Sequence, residues 1–117
     1  MNARAVSREE ADLLRAILGA DPAGDAVSSG LAAVRARDGC ECGCGSVEFI
    51  YEDPVDEAGP SRAVYPVAAE ILDDDDAVVG GVILFVRGDR LDYLDVHSYG
   101  DGPLPVPRID KVRVVHR

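Results

Sequence analysis

A chain of 117 residues has room for one domain with a real core and not for two of ordinary size. Apolar residues make up 47% and charged residues 29%, which argues against intrinsic disorder. Twelve basic against 22 acidic residues leave a formal net charge of -10, a field that argues against nucleic acid or anionic membrane as partners and favours basic proteins or cations. The same acidity also serves plain solubility. Lys111 is the only lysine, a bias expected of a GC-rich bacterial genome.

The first ten residues carry charge but no apolar h-region, so no signal peptide is expected there. The longest apolar run, Val82 to Val86, is too short to span a membrane. Three cysteines cannot close a disulfide framework among themselves. Together these place the protein in the cytoplasm, where thiols stay reduced.

In chain order, Ser7 and Glu10 form a capping box ahead of Leu13, Leu14, Ile17 and Leu18, an apolar stripe at helical spacing. Gly19 and Asp21-Pro22 predict the stop, with glycine taking the left-handed position. A weaker helix, with Val27, Leu31 and Val34 on one side, is expected next; Gly30 inside it costs about 1 kcal/mol relative to alanine. Period-two alternation follows at Val34 to Arg37 and again around Val47, Phe49 and Tyr51, which predicts two strands joined through the cysteine turn.

After a loop from Asp53 to Ser61, a third strand is expected from Arg62 to Leu72, then a turn at Asp73 to Asp76. Val79 to Arg87 is the most apolar strand, and Gly88-Asp89 suits a type II′ turn returning the chain into Leu91 to Tyr99. A tail with Pro103, Pro105 and Pro107 wraps the body, and Lys111 to Val115 adds a short edge strand. The sum is a single α+β domain over residues 1–117: one or two N-terminal helices on a four- to five-stranded antiparallel sheet.

A regular two-residue turn would pair Val86 with Leu91, Leu84 with Tyr93 and Ile83 with Leu94. Ile83, Phe85, Leu94 and Val96 would then share one face, and Leu84, Val86, Leu91 and Tyr93 the other. Both faces would be apolar. The N-terminal helices can cover one of them, so the second is expected to meet the tail, another protein or a second copy of the chain.

Cys40, Cys42 and Cys44 fall within five residues, and the cluster admits three readings. As a metal site it offers soft ligands for zinc, with His97, His116 or a carboxylate as the fourth, although the spacing is not the Cys-x-x-Cys of zinc knuckles. A redox role lacks a Cys-x-x-Cys pair at a helix N-terminus. As structure, small side chains fill a tight turn in which Gly39, Gly43 and Gly45 supply backbone freedom. The Asp73 to Asp76 run could attract calcium but fails the EF-hand template, since Ala77 stands where a ligand belongs.

Asp95 and His97 project from one strand face between Tyr93 and Tyr99. An acid orienting a histidine begins a general base, but strand spacing usually leaves such a pair short of a good hydrogen bond. No nucleophile is set beside them, so the pair reads as the polar edge of a binding face, without a catalytic role. Gly80 and Gly81, inside a strand pattern, mark a bulge or close approach.

The capped helix, the Cys40-x-Cys42-Gly43-Cys44 turn and the run Gly81 to Leu91 leading into Leu94-Asp95-Val96 together resemble a group of short actinobacterial proteins. Those share a CxCGC turn, a similar hairpin and a proline-containing tail, and carry no established activity. Where that group often has glutamate, this chain has Asp95. The hairpin half also resembles small immunity proteins of bacterial toxin systems. The expectation is a non-enzymatic, acidic protein-binding module of immunity or accessory type, with no cofactor, binding through Leu84, Leu91, Tyr93, Asp95, His97 and Tyr99. The alternative is a small zinc protein built on the three cysteines.

Overall fold

Ser7 and Glu10 do what their spacing says. In the computed structural model the Ser7 hydroxyl accepts from the Glu10 amide at 3.1 Å, and the Glu10 carboxylate accepts from the Ser7 amide at 2.8 Å. They open α1 (Arg8–Gly19), which buries Leu13, Leu14, Ile17 and Leu18. Its end departs from expectation: Gly19 is the last helical residue, and Ala20 caps in ordinary right-handed geometry at φ -83°. The structure describes residues 3–21, 24, 27, 31, 34–39, 44–51 and 61–116. Most of the expected second helix lies outside them, although Val27 is buried in the core and Leu31 packs against it.

Among the described residues eight antiparallel strands form one sheet: β1 (Arg4–Ala5), β2 (Arg35–Asp38), β3 (Val47–Ile50), β4 (Arg62–Val64), β5 (Val67–Leu72), β6 (Val78–Arg87), β7 (Arg90–Ser98) and β8 (Val112–His116). Their order is β1-β2-β3-β7-β6-β5-β8, with β4 also on β6. The expected four- to five-stranded sheet under one or two helices is therefore corrected to an eight-stranded sheet among the described residues, with α1 packed on it; Gly24 and Val27 are also helical.

The physical reasons are local. Arg4–Ala5 is too short to show alternation. Pro66 has no N–H to give a ladder, and it breaks the expected Arg62–Leu72 strand into β4 and β5 along one side of β6. Val112–His116 pairs along its whole length with β5.

The hairpin of β6 and β7 corrects a second expectation. Gly88 takes φ 60°, as the first position of a type II′ turn requires, and Val86 faces Leu91. One residue on, the register shifts: Phe85 pairs with Tyr93, Leu84 with Leu94, and Ile83 with Asp95. Asp92 is the extra residue, a β-bulge, and its carboxylate is held by Arg62 and Arg87.

Because side-chain direction alternates, one extra residue exchanges the two faces from there on. Val82, Leu84, Val86, Leu91, Leu94 and Val96 all enter the core with α1. The opposite face keeps Ile83, Phe85, Tyr93, Asp95 and His97, all half-buried. The tail closes the core side, where Leu104 and Val106 pack against the core and Pro107 is buried.

Candidate functional site

The outer face is organised around a glycine. On β6, Gly81 pairs with His97 of β7 on one side and Glu70 of β5 on the other, and Glu70 pairs with Arg113 of β8. His97, Gly81, Glu70 and Arg113 thus form one row across four strands. A Cβ at Gly81 would stand 2.7 Å from His97 Nε2 and 3.1 Å from Tyr99 Oη. Only a bare backbone lets the imidazole and the phenol converge there. The neighbouring Gly80 faces the core side, where a Cβ would meet Leu104 at 2.6 Å.

His97 Nδ1 lies 2.7 Å from Asp95 Oδ2, so the pair does make the contact that strand spacing usually denies. Its ring also leans on Tyr99, with centroids 5.5 Å apart. An ionised carboxylate only accepts, so a neutral His97 carries its proton on Nδ1 and presents Nε2 as an acceptor. Beside it lies a depression of about 250 Å³, lined by Ala68, Glu70, Ile83, His97, Tyr99 and Val115 among others. Arg113 grips Glu70 through Nε at 2.8 Å and Nη2 at 2.7 Å, both on Oε1.

Further along the same face, Tyr93 pairs with Phe85 and with Glu48 of β3, and Glu48 is bridged by Arg37 of β2. The Arg62 guanidinium sits 5.2 Å from the Phe85 ring centroid and 5.6 Å from that of Tyr93. Tyr93 reaches over Gly39, where a Cβ would lie 2.6 Å from its hydroxyl. Gly45 likewise gives room to the tail, since a Cβ there would meet the Val106 nitrogen at 2.3 Å. These two glycines serve close approach; among the described residues Gly88 is the glycine with positive φ.

Of the residues expected to bind a partner, Tyr93, Asp95, His97 and Tyr99 meet on this face, and Tyr99 is 64% exposed. Leu84 and Leu91 do not. They are 0% and 2% exposed, inside the core, on the face that the Asp92 bulge completes with Leu94 and Val96 while it sends Tyr93 to the other. Arg62, Glu70 and Arg113 were missed by sequence reasoning, since cross-strand register alone brings them in, whereas Gly81 was read there as a bulge or close approach and is a close approach.

Cys40 and Cys42 lie outside the described residues; Cys44 is a free, half-buried thiol. Among the described residues no group of three His, Cys, Asp or Glu side chains is placed to hold a metal ion. The aspartate run is a turn: Asp73 Oδ1 accepts from the amides of Asp75 and Ala77, while Asp74 to Asp76 face solvent. Among the described residues no helix is long and apolar enough to cross a membrane. No protein-family model, curated protein or solved structure matches this chain.

Proposed function

We propose that the protein is an acidic binding module, of immunity or accessory type, that docks a basic protein on the outer face of β6 and β7. One observation carries this. The helix and the tail pack on the core face, while Ile83, Phe85 and Tyr93 remain half-exposed on the opposite face beside the Asp95–His97 pair. Apolar rings mixed with oriented polar groups suit a protein interface better than a solvated surface. The net charge of -10 supplies long-range steering toward a basic partner.

The test is a photo-crosslinker, p-benzoylphenylalanine, in place of Tyr93, with the same residue in place of exposed Arg15 on α1 as control. In a lysate of the source cells, the Tyr93 position is expected to capture a basic protein and the Arg15 position is not. Capture of copies of this chain alone, or equal capture from both positions, contradicts the proposal.

A further inference from the structure

Taking the outer face as a docking surface, on which this inference rests, we propose that the depression between His97, Tyr99 and Glu70 receives the ammonium group of a lysine from the partner protein. Three oxygen or nitrogen atoms are available to accept. In the neutral imidazole, whose Nδ1–H is taken up by the 2.7 Å contact with Asp95, His97 Nε2 is an acceptor. Tyr99 Oη converges with it above Gly81. Glu70 offers Oε2, because both Arg113 nitrogens engage Oε1.

An ammonium carries three donors that rotate freely, and three acceptors on a small concave surface match that count. A guanidinium, flat and with five donors in a fixed fork, matches it less well. Ala68, Ile83 and Val115 supply apolar wall for the methylene stem, which lysine buries readily while its head seeks polar groups. Charge agrees with geometry. Of the two carboxylates in this part of the surface, Glu70 is paired with the Arg113 guanidinium and Asp95 with the His97 imidazole, so beside a neutral His97 an incoming cation balances the remaining charge.

This chain cannot readily supply the occupant to a second copy. Its single lysine, Lys111, is half-buried and reaches Asp74 at 3.5 Å.

The test is an amide NMR titration of the intact protein with Nα-acetyl-lysine N-methylamide, its Nε-acetylated analogue, and Nα-acetyl-arginine N-methylamide. The lysine probe is expected to give saturable shifts centred on Gly81, Ile83 and His97, at about millimolar affinity for a lone side chain. The acetylated analogue should bind at least about tenfold more weakly, and the arginine probe more weakly than lysine. Glu70→Gln and His97→Phe should each lower lysine affinity about tenfold, their own spectra reporting that they fold.

No saturable shift, equal binding of the acetylated analogue, or shifts centred elsewhere overturn the assignment. Should the Tyr93 cross-link persist while the lysine probe fails, this assignment alone falls. Lysine binding in a protein whose Tyr93 position captures nothing keeps the ammonium site but overturns the partner protein as its source, together with the docking proposal.

Discussion

Glu10 shows how much a single side chain does here. It is 3% exposed, yet it caps α1, pairs bidentately with Arg4 at 2.8 Å on both oxygens, and through Arg4 ties α1 and β1 to Asp38 of β2. Burial by itself would raise its carboxyl; the hydrogen bonds from Arg4 and from the Ser7 amide overcome that and hold it below its ordinary 4.5. A carboxyl depressed on folding stabilises the protein above its unfolded value, and that contribution fades as pH falls below about 4.5 toward the folded value. Glu10→Gln should therefore cost about 2 kcal/mol near neutrality, less than a fully buried pair because Arg4 is partly exposed. Thermal melts against pH should show the gap between wild type and variant narrowing in acid.

Gly81 is the second such position. Gly81→Ala should push His97 off Asp95, at a cost of about 1–3 kcal/mol from overpacking. Imidazole nitrogen shifts would report the broken contact. Tyr51 joins β3 to β7 by accepting from the Leu91 amide at 2.8 Å, and Tyr51→Phe should lose about 1 kcal/mol in chemical denaturation.

Among the elements, the β6–β7 hairpin decides which face is which. Asp92→Ala should be mild, about 1 kcal/mol, since it removes only partly exposed contacts to Arg62 and Arg87. Deleting Asp92 restores the regular register and turns Tyr93 and Asp95 toward the core, so cooperative unfolding should be lost. A deletion variant that melts like wild type would contradict the role given to the bulge.

The hairpin also marks the limit of what the sequence reveals. Ser7 to Leu18, Gly88-Asp89, the alternation in β2 and β3 and the apolar run of β6 were legible, because capping, turn geometry and hydrophobic pattern are local properties. The Asp92 bulge was not legible, because its anchors Arg62 and Arg87 come from β4 and β6 and meet it only after the sheet forms. The same holds for the site. Asp95, His97 and Tyr99 share a strand and could be read together, whereas Glu70 and Arg113 reach them only through strand order.

For the whole molecule, the two ends of the strand path are protected. One is the two-residue β1, and the other, β8, carries Arg113 and is preceded by Lys111. Such edges discourage strand addition, and β4, paired with β6 off that path, adds a further edge of only three residues. With a charge of -10, binding of a basic partner should weaken as salt rises from about 0.05 to 0.5 M, mostly through slower association. Salt-independent association rates would remove steering from the account.

Whether that face stands open in solution is measured directly by solvent paramagnetic relaxation of side-chain protons in the free protein. Ile83, Phe85, Tyr93 and His97 should relax strongly, and Leu84, Leu91, Leu94 and Val96 weakly. Equal protection of both sets, or strong relaxation of Leu84 and Leu91, would contradict a face left free for a partner.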